Sequence, residues 1–197
     1  MHTSAHQQLI AHISKFVPLE QDEINAIVAQ IPIKTYTAGE ILLREGMISR
    51  VSYFNLKGCV RLYYLADGEE KTTFFYTENE FITSLRSFTS NSPADHYLEC
   101  LEDCTLALIP YGVEKELLSR FPKLETFSRI ILEQELANYQ EMLANYIMSS
   151  PEQRYLNLLR NSPTLLQRVP LYQLASYIGV KAESLSRIRN RISKQSS

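Results

Sequence analysis

Residues 121–148 contain no glycine, and their single proline, Pro122, stands at the start of the stretch. Leu132, Leu136, Tyr139, Leu143 and Tyr146 recur in steps of four and three, the seam spacing of a two-stranded coiled coil. At 1.5 Å per residue, a helix of this length is roughly 40 Å long. A chain of 197 residues makes one large or two small domains. Such a body is too small to cover the whole helix, so a second copy of the helix is the natural cover and a homodimer is expected. The alternative is an amphipathic helix lying along its own domain.

The periodicity changes upstream of this helix. Leu9, Ile10, Ile13 and Val17 are spaced for one helix, and Ile24, Ile27, Val28 and Ile31, after Pro18, for a second. From Pro32 to Pro110 the pattern is that of strands. Cys59–Leu65 and Lys71–Tyr76 are rich in β-branched and aromatic residues and flank Asp67-Gly68, a hairpin signal. Tyr97–Leu101 and Thr105–Ile109 read as a further strand pair across Glu102-Asp103. Short strands at such intervals make an antiparallel sandwich, roll or barrel rather than a parallel sheet. The expected fold class is therefore α+β, with an antiparallel, jelly-roll-like β-roll over residues 1–120 and the long helix over 121–149.

Composition sets limits on function. Hydrophobic residues make up 45% and charged residues 21%, ordinary values for a globular protein. No apolar run approaches the ~18 residues needed to span a bilayer, and the first residues lack a basic-then-apolar leader. A cytoplasmic location without membrane contact is expected. Cys59, Cys100 and Cys104 are read as reduced, packed thiols. His2, His6 and His12 fall near one terminus and His96 has no ligand-like neighbours, so no metal is expected. No cofactor is expected, and no Ser–His–Asp or Cys–His arrangement suggests an enzyme.

The net charge of −2 hides an asymmetry. Residues 151–197 carry 8 basic against 2 acidic side chains, and residues 1–150 carry 12 against 20. A short basic end on an acidic body is the composition of a sensor joined to a polyanion-binding module. In that end, Ser150-Pro151-Glu152-Gln153 is a strong helix start, with a serine N-cap, proline at the first position and a glutamine to close the capping box. Helices are expected to Arg160, over Leu171–Ile178, and from Ala182 to Lys194, with strand-like character near Val169. Ala175, Gly179 and Leu185 have the spacing of a helix-turn-helix: a small residue where helices cross, a glycine in the turn, and an apolar wedge after it. Residues 150–197 are thus expected to bind double-stranded DNA.

Taken together, the chain resembles the Crp/Fnr transcription regulators, the cyclic-AMP receptor protein family. The resemblance rests on Gly39-Glu40-Ile41-Leu42, on Asn55 to Tyr63 with Gly58, on Asn79-Glu80-Phe81-Ile82, and on Leu174 to Gly179 followed by Glu183-Ser184-Leu185-Ser186-Arg187. It implies a cyclic-nucleotide-binding-type roll, a dimer on an inverted-repeat operator, and RNA polymerase as a further partner. On the recognition helix it implies that Glu183 and Arg187 face bases. Helix geometry then sets Ser184 beside them and leaves Lys181, Arg189, Arg191 and Lys194 to anchor the backbone.

The sequence departs from the family where the effector binds. Laid on the family's cassette without gaps, the ribose glutamate falls on Glu80, between Asn79 and Phe81. The phosphate arginine falls on Ala94, next to Asp95. An anion where a phosphate would arrive is repulsive, so cyclic AMP in the family manner is not expected. The effector is then another small molecule or none. The competing functional reading is a ligand-binding or protein-docking roll whose basic C-terminal module is structural.

Overall fold

The computed structural model describes residues 4–195, and His2 lies outside them. The elements in order are α1 (Ser4–Ile13), α2 (Gln21–Gln30), β1 (Ile33–Tyr36), β2 (Ile41–Leu43), β3 (Val51–Lys57), β4 (Val60–Ala66), β5 (Glu69–Tyr76), β6 (Phe81–Ile82), α3 (Leu85–Ser90), β7 (Tyr97–Cys100), β8 (Cys104–Pro110), α4 (Tyr111–Arg120), α5 (Pro122–Met148), α6 (Pro151–Asn161), α7 (Leu165–Arg168), α8 (Leu171–Ile178) and α9 (Ala182–Gln195). The strands form two four-stranded sheets, ordered β1-β8-β3-β6 and β2-β7-β4-β5. This is the mixed α and β architecture with antiparallel sheets that the strand pattern implied.

The β4–β5 hairpin turns at Asp67 and Gly68, both at positive φ, 54° and 77°. Positive φ at both central residues is the two-residue turn whose twist matches the flanking strands. One expectation is corrected. Tyr97–Leu101 and Thr105–Ile109 do not pair across Glu102-Asp103: β7 lies in the sheet with β2, and β8 pairs with β1 and β3 in the other. The 102–103 segment is a crossover between sheets. The Cys104 thiol donates to the Glu102 carbonyl at 3.2 Å, and Cys100 and Cys104 are both buried and free of disulfides.

By contacts the chain divides into two compact units, residues 1–62 with 75–135 and residues 63–74 with 136–197. In the first, Leu9 and Ile13 of α1 and Ile27 of α2 pack with Phe54 and Leu56 of β3, Ala107 of β8, Leu117 of α4, and Leu124 and Phe127 of α5. The first helix is thus anchored in this core. The His6 ring bonds the Ile31 carbonyl at 2.9 Å, and His12 lies 4.9 Å from the Phe54 ring.

In the second unit the Ser150 side chain accepts from the Gln153 amide and the Gln153 side chain accepts from the Ser150 amide, the capping box read from sequence. Val169, read as strand-like, has an extended backbone but belongs to no strand: it closes the C-terminal end of the short helix α7, its amide bonding the Leu165 carbonyl. Helix α8 ends at Gly179 with φ 79° and ψ 36°, a left-handed cap that favours glycine. Residues 179–181 then turn the chain into α9.

Candidate nucleic-acid interface and effector pocket

Helix α9 is two-faced. Leu185 and Ile188 are buried, while Lys181, Glu183, Arg187, Arg189, Asn190, Arg191 and Lys194 are exposed. At ~100° per residue this separates an apolar stripe from a polar, mostly basic face. Within that face the side chains are not equivalent. Arg187 donates to the Ser184 hydroxyl at 3.3 Å, one turn back. Arg191 forms an ion pair with Glu152 at the start of α6. A groove of about 570 Å³ is lined by Pro151, Val180, Ser184, Arg187, Ile188 and Arg191. Arg187 and Arg191 therefore line one concavity.

A residue with no sequence signal holds this module together. The Arg154 guanidinium donates to three backbone carbonyls: Ile178 at 2.9 Å, Tyr146 at 3.1 Å and Ser149 at 2.5 Å. It also lies 4.4 Å from the centroid of the Tyr146 ring. Carbonyls at the C-terminal ends of α5 and α8 have no helical partners, and one cation satisfies both ends. The link is invisible in sequence because 24 residues separate Arg154 from Ile178.

Along α5 the stripe read as a dimer seam is exposed: Leu132 at 45%, Leu136 and Leu143 at 60% each. The two tyrosines are partly used within the chain. Tyr139 stacks 5.6 Å from Phe74, and Tyr146 lies under Arg154. All five residues of the stripe remain exposed, Leu136 and Leu143 most of all.

In the roll, Asn79 sits at φ 69°, a left-handed position that asparagine tolerates better than most residues. Its amide bonds the Asn55 carbonyl at 2.7 Å. The Glu80 carboxylate accepts from the Thr77 amide and, at 3.1 Å, from the Thr77 hydroxyl. Burial pushes its pKa up, partly offset by those bonds. Burial likewise raises Glu135 on α5, and the charge of Glu80 adds to the shift. Phe81 belongs to the core, with Phe54 at 4.9 Å and Phe127 at 5.8 Å.

Ala94 is buried, with its backbone bonded to Gly46 and Met47. The role expected of Asp95 is corrected. Its side chain is 65% exposed and accepts from the His96 ring at 2.9 Å, a bond that lowers its pKa, so it does not project an anion into the roll. The roll does contain a buried guanidinium, on Arg61 of β4. It is committed to Glu99 of β7, through Nε at 3.1 Å and Nη2 at 2.5 Å. Among the described residues no group of three His, Cys, Asp or Glu side chains is placed to hold a metal ion. No helix among them is long and apolar enough to cross a membrane.

Comparison with known proteins places this geometry. Residues 33–121 match the cyclic nucleotide-binding domain. The chain is 22% identical over 189 residues to the fumarate and nitrate reduction regulatory protein of Vibrio cholerae, covering 89% of this chain and 73% of that one. It is 21% identical over 187 residues to the anaerobic regulatory protein of Pasteurella multocida, covering 89% and 67%. Among solved structures, the c-di-GMP responsive global regulator CLP of Xanthomonas campestris aligns with a TM-score of 0.71 at 18% identity, over 90% of this chain and 93% of that one. The catabolite activator protein of Thermus thermophilus aligns at 0.56 and 18% identity, over 92% and 87%. At these identities the structural likeness is one of fold.

Proposed function

We propose that this member of the Crp/Fnr family is a homodimeric, sequence-specific DNA-binding transcription regulator whose roll does not take cyclic AMP in the family manner. The observation that carries the reading is α9: a helix of 14 residues with a buried apolar stripe and an exposed face bearing Lys181 before it and Arg187, Arg189, Arg191 and Lys194 along it. Such a face offers bidentate donors for guanine edges and cations for phosphates. In this reading residues 1–120 are the sensor roll, 121–149 the dimer helix and 150–197 the DNA-binding helix-turn-helix. Glu183, Ser184 and Arg187 read bases. Lys181, Arg189, Arg191 and Lys194 hold the backbone. Two such helices related by a two-fold axis would read inverted half-sites about 34 Å apart. RNA polymerase is the partner through which such a regulator acts.

Where the family overlay calls for an arginine, buried Ala94 offers no charge, and the roll's own buried cation, Arg61, already neutralises Glu99. A cyclic phosphate would meet no unpaired positive group at either place. The test of the function is a randomised-site selection on the wild type. Enrichment of an inverted repeat supports the regulator. Failure to enrich any sequence favours a docking roll with a structural basic end.

A further inference from the structure

Ser176, on the solvent side of α8, makes two bonds far away in sequence. Its hydroxyl donates to the Glu70 carbonyl at 2.8 Å and accepts from the Thr72 amide at 2.9 Å. Strand β5 is the edge of its sheet. Along a strand, the carbonyl of one residue and the amide two residues on open to the same side, where a further strand would pair. Ser176 fills that gap with one side chain. The hairpin tip it holds is acidic: Asp67, Glu69 and Glu70 against Lys71. Glu69 is ion-paired to Lys71. That bond holds its carboxyl below the usual range, and the positive charge of Lys181, at the entry to α9, adds to the effect.

We propose that the β4–β5 hairpin is an autoinhibitory latch, holding α8 through Ser176 beside an acidic tip, so that DNA must displace it to bind. The proposal rests on the DNA-binding reading above. The latch has a polar and a charge part. Ser176 ties down the helix that precedes the recognition turn. The acidic tip raises the cost of bringing a polyanion to that end of α9. Neither part needs Ser176 or Glu69 to touch DNA. Their removal is therefore predicted to strengthen binding, the opposite of what losing a DNA contact does.

The deciding variant is Ser176→Ala, which changes no charge and replaces serine by a better helix former. With random-sequence duplex DNA at several salt concentrations, Ser176→Ala binds ~5-fold tighter than wild type, equivalent to about 1 kcal/mol. Glu69→Gln, which removes one charge from the acidic tip, also binds tighter, with the gain largest at low salt. Hydrogen exchange supplies a second readout. The Thr72 amide is protected in the free wild type and exchanges faster once DNA is added, although a direct DNA contact would slow it. Equal or weaker binding by Ser176→Ala, or a Thr72 amide that stays protected with DNA bound, overturns the latch while leaving the DNA reading in place. No binding by the wild type or either variant overturns both.

Discussion

The hydroxyl of Tyr146, on the last turn of α5, closes over the α-carbon of Gly179, so that a Cβ built on Gly179 would overlap it and lie 3.3 Å from Cζ. Gly179 is thus required twice, for its positive φ and for the approach of the ring. Replacing it by alanine costs about 1–2 kcal/mol for the left-handed backbone alone, and the overlap adds to that. Gly179→Ala is expected to lower the melting temperature clearly, and Tyr146→Phe, which removes the closest atom, to restore part of the loss. A double-mutant cycle measures this coupling, expected at about 1 kcal/mol in favour of the pair of changes. Strict additivity would mean that the ring moves aside freely.

Much of this architecture is legible in the sequence, and the boundary of what is legible has a physical cause. The long helix, the helix start at Ser150, the α8 span and the turn at Asp67-Gly68 are written in local periodicity and in residues with special backbone preferences. Helices α3, α4 and α7 carry too few repeats, or too mixed a surface, to show as periodic segments. That β7 and β8 belong to opposite sheets depends on pairing with β1, β2 and β3, remote in sequence. The Arg61–Glu99 pair and the Arg154 clamp are likewise long-range matches between residues that look like ordinary surface charges. In the candidate site, the exposed face of α9 follows from helical spacing. The pairing of Arg191 with Glu152 and the outward turn of Asp95 do not.

Glu135 gives a pH signature. Its carboxyl is raised above the ordinary value of 4.5 by burial and by Glu80. The folded state therefore holds its proton to higher pH than the unfolded chain, and stability falls as pH rises through that interval. Glu135→Gln is expected to stabilise the protein at neutral pH, with the advantage shrinking as pH falls towards 4.5. Thermal melts of both proteins across that range check it. An advantage independent of pH would assign the effect to packing.

Cyclic AMP is expected to give no measurable heat on titration and no change in DNA affinity, because Ala94 supplies no cation and Arg61 is held by Glu99. Ala94→Arg would place a guanidinium at the family position. Calorimetry on both proteins tests the overlay, and micromolar binding to the wild type contradicts it.

The exposed leucines of α5 predict the assembly. Leu136→Asp with Leu143→Asp would place unpaired charge in the seam and is expected to give monomers by sedimentation, with the helical signal retained. A double variant that sediments as a dimer would move the interface elsewhere.

The central claim is that α9 reads DNA through Arg187 and anchors it through Arg191. The direct measurement is randomised-site selection on the wild type, Arg187→Ala and Arg191→Ala, with affinities taken over a range of salt. The account predicts that the wild type enriches an inverted repeat. Arg187→Ala should lose preference at one base pair in each half-site, at a cost of about 1–3 kcal/mol. Arg191→Ala should keep the motif, bind all DNA more weakly and lower the salt slope by ~1 per subunit. An unchanged motif for Arg187→Ala together with an altered one for Arg191→Ala would contradict the assignment of the two arginines. No enriched sequence in any of the three would contradict the regulator itself.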